Sequence, residues 1–144
     1  MTEPVGRIVR PKPPVIAELV WAEELRFGVT SGRIATVVDG HSTAGPSPVQ
    51  LLVIGLGGCM GIDVLDIIRK GQHEVKAFRT SIVAERQAKV PHRVTKASLH
   101  FHVHGPVPEA VVERAISLSR DKYCSVWHSL REDIALETAY TIVP

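Results

Sequence analysis

Cysteine is scarce in this chain of 144 residues: there are two, Cys59 and Cys124. Two cysteines cannot build the multi-bridge framework of a small secreted domain. Nor can they alone complete the usual four-ligand structural zinc set. Aromatics make up 5% of the residues, and the formal charge is +2 with its basic residues scattered. That excludes the basic, aromatic-studded surface of a nucleic-acid binder. No uncharged apolar run reaches the roughly 18 residues that mark a membrane span. An apolar leader is missing too: residues 1–14 carry Arg7, Arg10 and Lys12 among four prolines. This stretch reads as an extended N-terminal arm, and the expected location is the cytoplasm, away from membranes. What is abundant is apolar content, 44% of the chain, enough for a core within a single domain over residues 15–144.

Three short strands are expected in VIAELVW, LRFGV and RIATVVD, followed by a polar loop from Gly40 to Ser47. Ser47 as N-cap and Pro48 at the first helical position then open a long helix. It runs through Ile68 to Arg69 and Lys70, cations suited to a helix C-terminus, and stops at Gly71. Between Val49 and Ile62 its only polar side chains are Gln50 and Cys59. A helix apolar all round is buried all round, and so short a chain can hardly wrap it; a second subunit is the economical cover. Gly55, Gly57, Gly58 and Gly61 each weaken such a helix by about 1 kcal/mol relative to alanine. They point to close approach of another helix or a ligand.

Residues 75–87 and 93–104 read as two longer strands. The second places His100, His102 and His104 on one face and Leu99, Phe101 and Val103 on the other. Three histidines on one strand face can ligate metal, but no carboxylate or cysteine joins them locally, so they read as a solvated or dimer-facing polar face. A second helix is expected from Glu109 to about Lys122, a short third one from Tyr123-Cys124 to Leu130, and a closing strand from Ile134 to Val143. Without βαβ alternation, this order indicates an α+β fold.

From the residues alone, both thiols read first as small core side chains. A reactive Cys59 needs its thiolate, and burial in apolar surroundings opposes that unless a cation or donor offsets it. Asp63, at i+4 on the same helix face, would oppose it further unless engaged elsewhere. Cys124 lies where one helix gives way to the next, and a helix N-terminus favours thiolate.

The segment PSPVQLLVIGLGGCMGIDVLDIIRKG resembles the central helix of the OsmC/Ohr family, of pattern SPxELLLAALGGCxxIDVxxIL. GPVPEAVVERAISLSRDKYCSV resembles the family's second cysteine block, and RVTKASLHFHVHG the strand before it. The resemblance implies an OsmC-like intertwined homodimer, two long central helices wrapped by antiparallel six-stranded sheets. It also implies oxidative-stress defence by thiol-dependent reduction of organic hydroperoxides or hydrogen peroxide, without metal or cofactor. Cys59 would then be peroxidatic, Cys124 resolving, and an external dithiol the reductant. The family's activating arginine corresponds to Arg26, with Arg33 as the fallback. The glutamate that orients it would fall at Gln50 or Val49, where no carboxylate stands; Gln50 hydrogen-bonds but forms no ion pair. This departure leaves a second reading, a non-catalytic OsmC-like protein that binds a small ligand or senses oxidation.

Overall fold

The computed structural model describes residues 12–144. Residues 1–11 of the expected arm lie outside the described residues, and residues 12–17 are exposed and without regular structure. Within the span read as one domain, the chain gathers into two compact units that meet in sequence at Pro48 and Val49.

The first unit is an antiparallel meander of β1 (Glu18–Glu23), β2 (Arg26–Ser31) and β3 (Ile34–Asp39), in the order β1-β2-β3. Glu24 and Gly32, both at positive φ, make the two tight turns. Gly45 passes so close to the Val37 carbonyl that a Cβ there would collide with backbone. Val38 is buried, but Leu19, Val20, Trp21, Leu25 and Ile34 are exposed. A three-stranded sheet needs an apolar face covered to be stable, and this one leaves much of its apolar surface open.

The second unit is built on α1 (Pro48–Lys70). It continues through β4 (Ala77–Arg86), β5 (Val94–His104), α2 (Glu109–Leu118), a π-helical turn (Ser119–Tyr123), α3 (Ser125–Ser129) and β6 (Ala135–Val143). The sheet order is β4-β5-β6. The inward face of β5, Ala97, Leu99, Phe101 and Val103, packs with Leu56, Met60, Val64 and Ile68 of α1 and Val112, Ala115 and Ile116 of α2. Both helices therefore cover the same face of the sheet. The opposite face carries His100 and His102, whose rings stack with centroids 4.2 Å apart. His100 Nε2 shares a hydrogen bond of 2.7 Å with Thr141 Oγ1.

The α+β class and the long central helix are as the sequence led one to expect; two details differ. β6 pairs with β5 in parallel, not antiparallel, because α2 and α3 form a helical crossover that carries the chain back to the starting edge. α2 ends at Leu118 rather than Lys122, and its last turn widens into the π-helical form. One chain buries α1 on one side only, as expected of a helix too apolar for so short a chain to wrap: Leu51, Leu52, Ile54 and Ile62 are exposed. By length and a mean hydropathy of 2.1 it could cross a membrane, yet its other face is taken up by the sheet.

The glycines of α1 divide by face. A Cβ on Gly57 would meet the Ile82 side chain at 3.2 Å, and one on Gly61 would meet Thr80 Oγ1 at 2.8 Å. Within this chain, the close approach these two permit is to β4. Gly55 and Gly58 have nothing of this chain within 4 Å of such a Cβ. Gly61→Val should therefore destabilise the fold by about 1–3 kcal/mol through overpacking, measured by urea denaturation, whereas Gly58→Ala should not.

Candidate functional site

Cys59 and Asp63 stand one turn apart on α1, so both side chains reach the same flank of the helix. That flank meets the end of α2. The π-helical turn closes with the Cys124 amide donating to the Ser119 carbonyl at 2.9 Å. The widened turn directs both residues at its ends toward α1, and π-turns of this kind recur at functional sites. Ser119 Oγ donates to Asp63 Oδ2 at 2.8 Å. Cys124 Sγ, Cys59 Sγ and a carboxylate oxygen of Asp63 all lie within 4.8 Å of one another. Both cysteines are free thiols.

The two thiols are not equivalent. Cys124 is fully buried and Cys59 half-buried. Cys124 is also the N-cap of α3, and its sulfur accepts from the Trp127 amide at 3.3 Å. That contact favours the thiolate, but burial outweighs it. With the neighbouring Cys59 sulfur and the Asp63 charge adding to burial, the Cys124 thiol is pushed up to about 12. Cys124 therefore keeps its proton at neutral pH and can donate it toward Cys59. The sequence placed α3's amides at Cys124 but could not rank them against burial. Asp63, feared as an opposing charge, has its hydrogen-bonding partner in Ser119.

Arg26, in the first unit, is held in place. Its Nε donates to Asp39 Oδ2 at 3.3 Å and its Nη1 to Glu23 Oε1 at 3.1 Å. Asp39 is buried and well below the usual carboxylate range. The Ala44 amide is the leading cause, followed by the His41 amide and the Thr43 hydroxyl. Arg33, the fallback, is exposed in the turn between β2 and β3. Gln50 is exposed in the first turn of α1. Nine residues of helix, about 13 Å of rise, separate it from Cys59. The structure thus brings Cys59 and Cys124 together and leaves Gln50 apart from them. Sequence reasoning missed Ser119 and Asp39. Ser119 continues α2's buried stripe from Ala115 and Ile116 as a lone polar residue. Asp39 precedes a glycine at the end of a strand, a turn signal that also marks a side chain able to bind backbone amides.

An apolar groove of about 400 Å³ runs along another face of α1, lined by Ile54, Gly58, Ile62 and Leu65 with Phe78 and Ile82 of β4 among others. Cys59 does not line it.

A buried thiol beside a half-buried one, on a central helix seated against a sheet, is the arrangement the fold presents. The chain belongs to the OsmC-like protein family, whose family model matches residues 40–139. It is 35% identical over 130 residues to protein YhfA of Escherichia coli K12, covering 88% of this chain and 97% of that one. A protein of Aquifex aeolicus VF5 shares the fold with a TM-score of 0.84 at 26% identity, over 91% of this chain and 97% of the other. The organic hydroperoxide resistance protein OsmC of Legionella pneumophila has a TM-score of 0.68 at 12% identity, over 92% and 99%.

The unequal thiols have a direct readout. At neutral pH iodoacetamide should alkylate Cys59 at least about 10-fold faster than Cys124, since reactivity follows the thiolate, with peptide mass spectrometry locating the label. The folded protein holds the Cys124 proton more tightly than the unfolded chain. The stability this contributes is intact below an ordinary thiol pKa of about 8.5 and is lost as pH rises through it toward 12.

Proposed function

We propose that this protein is a cysteine-based peroxidase that reduces organic hydroperoxides or hydrogen peroxide in the cytoplasm. The observation that carries the reading is the meeting of two unequal thiols within 4.8 Å. The Cys59 thiolate attacks the O–O bond and takes the terminal OH as sulfenic acid, while the other oxygen leaves and picks up a solvent proton as alcohol or water. The Cys124 thiol then condenses with the sulfenic acid, forming the disulfide and releasing water. An external dithiol exchanges with that disulfide and restores both thiols. A resolving thiol that holds its proton until the sulfenic acid forms does not compete as the first nucleophile. Support also comes from the name of the Legionella relative, an organic hydroperoxide resistance protein. Arg26, ordered by Asp39 and Glu23, is proposed as the cation that favours the Cys59 thiolate.

Hydroperoxide consumption with a dithiol reductant tests this. Cys59→Ser should abolish turnover, Cys124→Ser should stop after one equivalent with a trappable sulfenic acid, and Arg26→Ala should slow the first step. Wild type no faster than Cys59→Ser would sink the reading. The second reading, a non-catalytic ligand-binding or sensing protein, draws on Gln50 standing in place of the family's glutamate. It gains if Gln50→Glu raises turnover sharply.

The active form is proposed to be a homodimer. The uncovered apolar surface of α1 (Leu51, Leu52, Ile54, Ile62) and of the first sheet (Trp21, Ile34) is more than a stable monomer would leave to water. Sedimentation should give twice the chain mass, and Ile54→Asp with Ile62→Asp should dissociate or unfold it; a soluble wild-type monomer would contradict the proposal.

A further inference from the structure

We propose that the reduced dithiol and Asp63 form a site for one borderline-soft divalent cation, zinc foremost, bound by Cys59 Sγ, Cys124 Sγ and a carboxylate oxygen of Asp63. Counting cysteines alone argues against zinc; the fold adds a third donor. The three donor atoms lie within 4.8 Å of one another. Tetrahedral zinc with bonds of about 2.3 Å to sulfur needs sulfur donors roughly 3.8 Å apart. Side-chain shifts of about 1 Å or less therefore close the set around an ion. Two thiolates and a carboxylate suit zinc, whereas magnesium and calcium call for oxygen donors throughout.

Two contacts support the donors from behind. Ser119 Oγ donates to Asp63 Oδ2 at 2.8 Å, fixing the carboxylate, and the Trp127 amide donates to Cys124 Sγ at 3.3 Å. Such supporting hydrogen bonds fix the direction and basicity of metal ligands. Charge adds to the case. Three acidic groups at this separation cannot all ionise without a compensating cation, and a divalent ion leaves a net charge of only −1. Because Cys59 is half-exposed, a fourth position is open to water.

Zinc and the disulfide need the same two sulfurs, so each excludes the other. When a hydroperoxide oxidises the zinc-bound pair, the thiolates give up two electrons and the sulfur–sulfur bond forms. The O–O bond breaks, two solvent protons complete alcohol and water, and zinc leaves as the aqueous ion. This release step rests on the peroxidase reading; binding does not.

The test uses the full-length protein, reduced, stripped with a chelator and titrated with zinc chloride or cobalt(II) chloride alone. One ion per chain is expected, with a thiolate-to-cobalt charge-transfer band. Affinity should fall at least about 100-fold in Cys59→Ser and in Cys124→Ser, and about 10- to 100-fold in Asp63→Asn and Ser119→Ala. It should be unchanged in His100→Ala/His102→Ala. Cobalt binding without the thiolate band overturns the site, as does equal zinc affinity in wild type and Cys59→Ser or Asp63→Asn. A readout free of folding defects uses wild type: one equivalent of zinc should slow alkylation of Cys59 about 10-fold or more, reversibly with chelator, and no protection overturns the proposal. Diamide, which oxidises thiols whether or not the protein is a peroxidase, should expel the ion as the disulfide forms. Zinc retained on the disulfide form overturns the shared-sulfur site. Release by diamide but not by hydroperoxide supports the metal site and defeats the peroxidase reading.

Discussion

The contact on which the rest depends is the seating of α1 on β4 through Gly57 and Gly61. Side chains larger than hydrogen at either position would meet Ile82 or Thr80, so the helix backbone lies close against the sheet and its rotation about its own axis is restricted. With that rotation set, Leu56, Met60, Val64 and Ile68 enter the core. Cys59 and Asp63 then fall on the flank facing the end of α2. The helix gives up intrinsic stability at each glycine, and the packing of β5 and α2 against it offsets that loss.

From this geometry follows an ordering of the two thiols that neither residue type nor position along the chain supplies. The amide of Trp127 pulls Cys124 toward the thiolate, as any helix N-terminus would. Complete burial, the second sulfur and the Asp63 charge pull the other way and prevail. The same carboxylate that makes a second ionisation costly is a donor poised for a cation. On the two proposals made for this site, a proton on Cys124, a sulfur–sulfur bond and a metal ion would be competing answers to one concentration of negative charge.

Much of this was legible in the chain itself. Pro48, Arg69-Lys70 and Gly71 bracket α1 at the ends observed, and alternation in β5 separates its core residues from its histidines. Period and capping are local properties, and local properties are written in sequence. The direction of β6 was not, since it depends on which edge the α2–α3 crossover returns to. The partner of Asp63 was also hidden. Ser119 lies 56 residues away, and a contact made across that separation depends on how α2 packs against α1, which no local pattern records. Even the glycine cluster was half-read: the need for close approach was right, and the element approached at Gly57 and Gly61 was β4.

Arg26 shows why residue correspondence is weaker than physical requirement. A guanidinium that is to serve a thiolate must be held still, and a carboxylate is the natural means. Neither Val49 nor Gln50 supplies that carboxylate. In the folded chain Arg26 is nonetheless paired, with Asp39 at the end of β3 and with Glu23 beside it. Asp39 is itself fixed by the amides of His41, Thr43 and Ala44. A carboxylate held by three backbone donors has little freedom, and it passes that rigidity to the arginine it binds. The requirement is one of charge and fixity, and the loop after β3 can satisfy it as well as a helix can; a missing glutamate on α1 is therefore not by itself an argument that the arginine has been left without support.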